Sequence, residues 1–338
     1  MSKVTVLMPT YNVAPYIEEA IASVLRQTCR DFELLVLDDC STDGTWEQVC
    51  QMSDPRIHAI RHERNLGLAD NLNWGLDHIE TEYVARMDGD DIAEPDWLER
   101  EVAFLDRHPD AGVCGGGFRV FGLRNYTVLF PHKAEAVAAN MLFECSVTVP
   151  VFRRSLFRQQ GLHYRSDAFP AEDYRFWADC LLHTRIYNIT RVLFHYRMHG
   201  SQISTSLRDR QQRQSDAVRR LMLQRLNADI SETDTAYFLE RYARGIISDK
   251  DDYRQMRRFT RRLLQMNRES RYFNTTALRR RCRKQEVQAL YRHITETYFD
   301  DGYSIKNYLH YAAGGCAWRT TFRYELKFWA KSLLHRTA

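Results

Sequence analysis

The chain has 338 residues, of which 44% are hydrophobic and 27% are charged, and its formal net charge is +4. This composition supports a folded core and excludes global disorder, and the length suggests about two domains. No run of about 18 apolar residues occurs, so no membrane-spanning helix is expected.

Charge is divided unevenly along the chain. Residues 1–205 contain 20 Lys and Arg against 29 Asp and Glu, whereas residues 206–338 contain 28 against 15. An acidic front and a basic back indicate two regions with different roles. We therefore predict a first domain over residues 1–205 and a basic, mainly helical region over residues 206–338.

The front of the chain alternates short apolar runs with stretches of helical periodicity. Strands are predicted at residues 4–8, 33–37, 57–60 and 83–87, and helices at 16–27, from 45, 68–79 and 95–108. This rhythm predicts an α/β fold with a parallel sheet covered by helices on both faces. In such sheets ligands bind at the carboxyl ends of the strands.

The later part of the chain changes character. Residues 140–205 indicate mixed structure, and no proline follows Pro170. Helices are predicted at residues 206–226, 234–245, 252–266 and 276–298.

Eight cysteines are present, but no two have C-x-x-C spacing. A zinc or thioredoxin-like site therefore has little support. The apolar run that begins at Val4 stops at Pro9, which is too short for a signal peptide. We expect a reduced protein of the cytoplasm.

Three carboxylates lie within four residues at the end of the fourth predicted strand, at Asp88, Asp90 and Asp91. Such a cluster repels itself unless a cation binds, and oxygen ligands suit Mg²⁺ or Mn²⁺ with substrate phosphates completing the shell. The alternative is a solvated acidic turn in which Asp91 caps the next helix. The residues alone favour neither reading.

Asp38 and Asp39 end the second predicted strand. A carboxylate there could accept hydrogen bonds from a base or ribose at the ligand-binding edge. The alternative is a plain turn, built by Ser41 and Asp43.

Glu172 and Asp173 precede a stretch that contains Phe176 and Trp177. Acidic residues commonly begin helices because they favour the helix dipole. The functional alternative is a general base next to an acceptor, with the aromatic pair as an apolar wall for a sugar.

His195 and His199 have the spacing of a helical zinc pair, but the Glu of H-E-x-x-H is missing. Pairing of Arg197 or His199 with diphosphate oxygens fits better. Gly115, Gly116 and Gly117 lack the Lys and the Ser or Thr of a phosphate-binding P-loop.

The final stretch, residues 318–336, places Arg and Lys beside a stripe that includes Trp318, Phe322 and Trp329. A basic amphipathic helix of this kind can lie in an anionic membrane interface. It could equally pack on the protein with its basic face in solvent. Nothing resembles a nucleic-acid-binding module, so no nucleic acid is expected as a partner.

Taken in order, several of these motifs resemble the family-2 glycosyltransferases with the GT-A fold. The resemblance covers about residues 3–205 and rests on seven stretches, at residues 4–12, 27–28, 38–45, 65–71, 88–91, 172–173 and 196–204. Residues 82–97 and 171–177 are similar to the β-1,3-N-acetylglucosaminyltransferases that extend bacterial lipooligosaccharide. The sequence departs from the pattern of these families at two places. Cys40 stands where a Gly usually follows the aspartate pair, and residues 143–146 differ from the corresponding stretch on the acceptor side.

The resemblance implies a GT-A domain, a Rossmann-like nucleotide-diphospho-sugar transferase, and roles for individual residues. Thr10 and Tyr11 would line the nucleotide, Asp39 would hold the uracil and Asp88 would contact the nucleoside. Asp90 would bind Mg²⁺ or Mn²⁺, and Asp173 would be the catalytic base. The full donor-binding set is Pro9, Thr10, Tyr11, Asn12, Asp39, Asn65, Gly67, Asn71, Arg86 and Asp88, and the acceptor or diphosphate side is Glu172, Trp177, Arg197 and His199.

The expected function is therefore that of an inverting glycosyltransferase that moves a sugar from a UDP-sugar, best UDP-GlcNAc, to a saccharide or glycolipid acceptor. The acceptor would be lipopolysaccharide, lipooligosaccharide or another surface glycan, and the enzyme would be cytoplasmic, on the inner face of the membrane. One alternative is a transferase for another UDP-hexose in the synthesis of O-antigen, capsule or exopolysaccharide. Two further alternatives are a non-catalytic nucleotide-sugar-binding protein and a nucleotidyltransferase.

Overall fold

The computed structural model describes residues 2–200 and 207–300, together with residues 302, 304, 306, 307, 309–311, 328 and 330–332. Two compact units divide the chain, Met1–Val218 and Arg219–Ala338. The predicted boundary at residues 205 and 206 lies outside the described residues.

The first unit begins with alternating strands and helices, as predicted. Strands β1 to β4 are Val4–Thr10, Phe32–Asp38, Ile57–Arg61 and Tyr83–Arg86, and helices α1 to α3 are Ile17–Leu25, Thr45–Gln51 and Leu68–His78. Helix α1 forms because its apolar residues recur on one face, so that Ile17, Ile21 and Val24 are all buried.

Shorter strands and helices follow. They are β5 (Ile92–Ala93), α4 (Trp97–Arg107), β6 (Ala111–Gly122), β7 (Tyr126–Val128), α5 (Ala134–Met141), β8 (Val151–Arg153), α6 (Ser155–Gln160), α7 (Glu172–Cys180) and β9 (Arg185–Met198). All nine strands join one sheet in the order β3-β2-β1-β4-β8-β6-β9-β5, with β7 paired to β6.

The sheet is mixed, which corrects the expectation of a parallel sheet. Strand β1 runs parallel to β2 and β4, and β2 runs parallel to β3. Strand β8 then pairs antiparallel with both β4 and β6, whereas β6 runs parallel to β9. The parallel half brings the carboxyl ends of β1, β2 and β4 to one edge, where the predicted aspartate turns lie.

The second unit, which begins within helix α8 (Arg208–Leu226), is helical, as predicted. It contains α9 (Glu232–Tyr237), a π-helical turn (Phe238–Tyr242), α10 (Lys250–Ser270) and α11 (Thr275–Tyr298). Each of the last three α-helices has a side-chain N-cap, supplied by Ser231, Asp249 and Asn274. Helix α10 buries Met256, Phe259, Leu263 and Met266 at helical spacing.

The predicted amphipathic stretch 318–336 lies outside the described residues apart from residues 328 and 330–332, among which Phe328 is buried. In the described part of the chain, no helix is both long enough and apolar enough to cross a bilayer.

Candidate active site

The Asp38–Asp39 turn anchors a neighbouring loop. Both carboxylate oxygens of Asp39 accept hydrogen bonds from backbone amides, Oδ1 from Leu66 at 2.7 Å and Oδ2 from Gly67 at 2.9 Å. The Asn65 amide donates to the Asp39 carbonyl at 3.2 Å. Asp39 is only 3% exposed. These contacts bring Asp39, Asn65 and Gly67 together, as the predicted donor set requires.

The end of β1 completes this side of the site. Pro9 and Thr10 are buried, whereas Tyr11 is 50% exposed. The Asn12 side chain accepts a hydrogen bond from the Thr42 amide at 2.9 Å. Asn71 is 1% exposed and donates to the Leu37 carbonyl at 3.1 Å, so it joins α3 to β2 from inside the protein.

The Asp88–Asp91 turn follows β4 at the same edge. Gly89 lies close to the end of β1, and a Cβ atom there would stand 2.8 Å from the Thr10 Cγ2 atom. No larger residue fits this approach without moving the turn. Asp91 is 1% exposed and accepts the Arg197 backbone N–H at 2.9 Å, while its Oδ2 atom has no partner within the described residues.

These features exclude the structural alternative for the turn. Asp91 is neither solvated nor a helix cap, because helix α4 begins at Trp97 and Asp96 is its N-cap residue. Burial raises the pKa of Asp91 well above its usual value, and the charges of Asp90 and Asp88 raise it further. The turn therefore holds three carboxyl groups close together, one of them in a buried position that disfavours its charged form.

Asp90 and His199 form the pair best suited to a metal ion. The His199 Nε2 atom lies 3.1 Å from Asp90 Oδ2, and the side chains are 14% and 18% exposed. A carboxylate oxygen and an imidazole nitrogen this close could both bind one divalent ion. Among the described residues no group of three or more His, Cys, Asp or Glu side chains could hold a metal. A divalent ion held by this pair would need further ligands, such as diphosphate oxygens and water.

Arg197 holds the acidic turn against β9. Its Nε atom donates to the Asp90 carbonyl at 2.9 Å, and its guanidinium pairs with Glu19 at 2.6 Å. The guanidinium also lies over the Tyr16 and Phe121 rings, 4.9 and 4.6 Å from their centroids. His195, the other histidine of the sequence pair, instead contacts Glu94 at 2.7 Å. His195 lies on strand β9 and His199 directly follows that strand, so the two do not have the helical geometry of a zinc-binding pair.

Arg86 connects the acidic turn with the predicted catalytic helix. Its guanidinium lies 2.8 Å from Asp88, and its Nε atom is buried with no hydrogen-bond partner in the described chain. Burial raises the pKa of Asp88 to about 6, the Arg86 charge opposes this shift, and the charges of Asp90 and Asp173 add to it. Because 30% of the Asp88 side chain is exposed, solvent moderates the effect.

Helix α7 contributes Glu172 and Asp173. Asp173 Oδ1 accepts the Tyr174 backbone N–H at 2.6 Å, and Asp173 Oδ2 has no hydrogen-bond partner in the part of the chain described. Burial, and then the Asp173 charge, raises the pKa of Glu172 to about 7. Glu172 is 5% exposed and its Oε2 atom has no partner within the described ranges.

Trp177 does not lie where the sequence interpretation put it. It is 1% exposed and packs edge-on against Phe152 and Phe176, with ring centroids 5.4 and 4.8 Å away. The pair Phe176–Trp177 is therefore part of the core and no open wall for a sugar. No local pattern in the sequence predicts this packing, because Phe152 lies on a strand far from α7 in the chain.

Two residues near this helix were missed. Tyr164 is 3% exposed, stacks on Phe176 at 4.1 Å, and has a hydroxyl with no partner within the described part. Burial raises the pKa of Tyr164, and the nearby charges of Cys180, Asp173 and Glu172 act in the same direction against that of Arg86. Burial, and then Asp173, raises the pKa of the Cys145 thiol, which places this residue beside the predicted base. Tyr164 stands in no recognisable motif, whereas Cys145 belongs to the 143–146 stretch noted above on the acceptor side, although no role was assigned to it.

Comparison with known proteins agrees with this geometry. Residues 5–167 match the family model described as glycosyl transferase family 2. An uncharacterized glycosyltransferase of Haemophilus influenzae is 30% identical over 262 residues, which cover 71% of this chain and 80% of that protein. The Escherichia coli UDP-Glc:α-D-GlcNAc-diphosphoundecaprenol β-1,3-glucosyltransferase WfgD is 27% identical over 64% of this chain and 85% of its own length.

Solved structures with a similar fold cover most of the chain. Staphylococcus aureus TarS 1–349 in complex with UDP-GlcNAc has a TM-score of 0.57 and 22% identity, covering 89% of this chain and 93% of that one. The mannosyltransferase PcManGT from Pyrobaculum calidifontis, in complex with GDP-Man and Mn²⁺, has a TM-score of 0.54 and 20% identity, covering 98% of this chain and 86% of that one. The chain belongs to glycosyltransferase family 2 and has the GT-A fold.

Proposed function

We propose that this glycosyltransferase moves a sugar from a UDP-sugar, best UDP-GlcNAc, to a hydroxyl of a lipopolysaccharide, lipooligosaccharide or other surface glycan, with inversion at the anomeric carbon. The observation that carries the proposal is the Asp173 carboxylate, which has one oxygen fixed by a backbone amide and the other unpartnered in the described chain. The structure of TarS with UDP-GlcNAc supports the choice of donor. The E. coli relative is named for UDP-Glc, which favours glucose as the second candidate sugar.

The reaction needs a base on the acceptor side. The unpartnered Oδ2 atom of Asp173 takes the proton from the acceptor hydroxyl, whose oxygen attacks the anomeric carbon as the diphosphate leaves. The bond between Asp173 Oδ1 and the Tyr174 amide fixes the direction of the carboxylate. One displacement inverts the anomeric centre, so no covalent intermediate with the protein is required.

The leaving diphosphate needs positive charge and hydrogen-bond donors. The guanidinium of Arg86, which lies beside Asp88 at this edge, supplies positive charge near the diphosphate. Asp90 Oδ2 and His199 Nε2 would hold Mg²⁺ or Mn²⁺. A divalent ion bound there would offset the charge that develops on the departing diphosphate.

The nucleoside occupies the other side of the same edge. Exposed Tyr11 and buried Thr10 line the uracil and ribose, and Asp39 orders the loop that contains Asn65 and Gly67. Because both Asp39 oxygens already accept backbone amides, any bond from the uracil N–H uses a second lone pair on one of them.

The acceptor places the enzyme on the inner face of the cytoplasmic membrane. Helix α10 presents exposed Arg254, Arg257, Arg258, Arg261 and Arg268, which suits an anionic lipid surface. The E. coli relative is named for an acceptor linked to diphosphoundecaprenol, which supports a lipid-anchored substrate.

A screen of UDP release tests the proposal. UDP-GlcNAc, UDP-glucose and UDP-galactose are each offered with saccharide and lipid-linked acceptors, with and without Mn²⁺. Asp173→Asn keeps the shape of the side chain but removes the base, and we expect transfer to fall by roughly 10² or more.

Asp179→Asn is the matched control, because Asp179 lies on the same helix and forms an ion pair with Arg175 at 2.8 Å. It should retain activity. Normal transfer by Asp173→Asn would exclude the assigned base. Tight donor binding without turnover would favour a non-catalytic binding protein, and release of pyrophosphate from a nucleoside triphosphate would favour a nucleotidyltransferase.

A further inference from the structure

A β-hairpin extends from the end of β6 beside the candidate site. Phe118, Arg119 and Val120 of β6 pair with Val128, Thr127 and Tyr126 of β7, and residues 123–125 form the tip. We call residues 118–129 the rim hairpin. Gly122 allows the turn, because its φ is +93° and a Cβ atom there would stand 2.5 Å from the Met198 carbonyl oxygen.

The rim hairpin exposes large apolar side chains. Leu123 is 69% exposed, Leu129 53% and Tyr126 46%. Of the seven large hydrophobic side chains that are exposed in the described residues, these three lie within seven positions of one another. Single exposed apolar residues are ordinary, whereas a local group commonly marks a binding surface.

The charge of the hairpin has one sign. No Asp or Glu occurs between Asp110 and Glu135, a stretch that contains Arg119, Arg124 and Lys133. Leucine and tyrosine combined with arginine and no acidic residue are typical of segments at the interface of an anionic bilayer. A stable interface with a protein partner would bury about 800 Å² of surface on each side, which is more than three side chains provide.

The hairpin is continuous with the site. The Leu123 amide donates to the Met198 carbonyl at 3.0 Å, and the next residue, His199, contacts Asp90. The Phe121 ring packs on the Arg197 guanidinium, which binds the Asp90 carbonyl. Whatever the hairpin binds is therefore held beside the metal-binding pair.

We propose that the rim hairpin inserts its apolar side chains into the surface of an anionic bilayer, and so sets the candidate site at the depth of a lipid-linked acceptor. This inference rests on the proposed function only for the nature of the acceptor. Shallow insertion of Leu123, Tyr126 and Leu129 removes their apolar surface from water, while Arg119 and Arg124 remain near the headgroups.

Flotation with vesicles tests the hairpin without donor or acceptor, so its result does not depend on the transfer reaction. Wild-type protein and the double variant Leu123→Ser, Leu129→Ser are compared on vesicles of phosphatidylcholine with phosphatidylglycerol, at low and high ionic strength. We expect the partition coefficient of the double variant to fall at least about tenfold. The ratio of the two partition coefficients, wild type to double variant, should persist at high ionic strength, because salt does not screen apolar insertion. Salt should weaken any contribution from the basic second unit, because that contribution is electrostatic.

Leu182→Ser is the matched control. Leu182 is 52% exposed and lies just before β9 begins, at the opposite end of the β6–β9 pair from the hairpin. It should leave binding unchanged. The single variant Leu123→Ser removes the most exposed of the three side chains, and we expect a loss of about threefold with an unchanged melting temperature.

Equal binding by the wild type and both hairpin variants would overturn the inference, as would an equal loss in Leu182→Ser. Sedimentation equilibrium identifies the competing occupant. A wild-type dimer that the double variant converts to a monomer, with vesicle binding unchanged, would make the hairpin an interface between two copies of the chain and would overturn the lipid assignment.

Discussion

Two turns at the same edge of the sheet carry clustered aspartates, yet they use them differently. After β2, Asp39 places both carboxylate oxygens on backbone amides of the 66–67 loop. After β4, Asp90 faces the titratable side chain of His199, and Asp91 has an oxygen without a partner in the described chain. Backbone amides satisfy a carboxylate permanently, whereas the second turn leaves negative charge for a ligand to neutralise. Like sequence patterns thus anchor a loop in one place and leave a cluster of carboxylates beside a histidine in the other.

The largest expected difference between the turns is in activity. Asp90→Asn removes a proposed metal ligand, and we expect UDP release to fall by roughly 10² or more. The melting temperature without metal should stay the same or rise, because one of three neighbouring like charges is gone. Thermal melts with and without Mn²⁺ and a UDP-release assay measure both effects.

Asp96→Asn is the control for this variant. Asp96 lies outside the turn, and its carboxylate forms an ion pair with Arg100 at a distance of 2.6 Å. It should keep wild-type activity. If Mn²⁺ stabilised Asp90→Asn as much as the wild type, Asp90 would not be a ligand.

The second difference is in stability. Asp39→Asn replaces one acceptor oxygen by an NH₂ group that faces the Leu66 or Gly67 amide, and we expect a loss of about 1–3 kcal/mol in the free energy of unfolding. Urea denaturation measures it, with exposed Asp70→Asn as the control. Stabilisation by Mn²⁺ should remain, because the metal-binding pair is intact. An unchanged free energy of unfolding would show that the 66–67 loop needs no anchor.

The third and smallest effect is a dependence on pH. Burial, and then neighbouring carboxylates, raises the folded-state pKa of Glu172 to about 7, and burial raises that of Asp88 to about 6. Both groups have a pKa of about 4 when unfolded, so the native state binds more protons between these values. The contribution of these two groups to stability is therefore fully present below about pH 4 and is lost as the pH rises from about 4 to about 7.

Glu172→Gln should flatten this slope and raise the melting temperature at about pH 8, because no charge then has to be buried. Urea unfolding at a series of pH values, in a chelator, provides the measurement. A slope that persists unchanged in the variant would rule out Glu172 as its source.

Much of the parallel half was predictable, because Val4–Thr10 and Phe32–Asp38 are continuous apolar strands and Ile17, Ile21 and Val24 repeat at helical spacing. The second-unit helices were also predicted, since capping residues and apolar spacing are local signals. Strand β6 was not predicted, because Gly115, Gly116 and Gly117 have low strand propensity. Leu193 occupies the space above Gly116, which shows that close approach of β9 selects glycine there.

The candidate site was predictable as a set of motifs but not as a set of contacts. The aspartates stand out because each follows an apolar strand. The pairing of Asp90 with His199 spans 109 residues, and no local pattern indicates it. Trp177 was misplaced for the same reason, since its neighbour Phe152 comes from another part of the chain.

The long separation between Asp90 and its partners also orders the assembly of the protein. The acidic turn is complete when β4 and β5 have formed, but Arg197 and His199 arrive only with the last strand of the sheet, more than a hundred residues later. At about 5–20 residues per second, ribosomal synthesis delivers that strand several seconds after the turn. Until then Asp90 and Asp91 lack His199 and Arg197, although Arg86 already lies beside Asp88. We therefore expect divalent-ion binding by the Asp90–His199 pair to appear only when the first unit has finished folding.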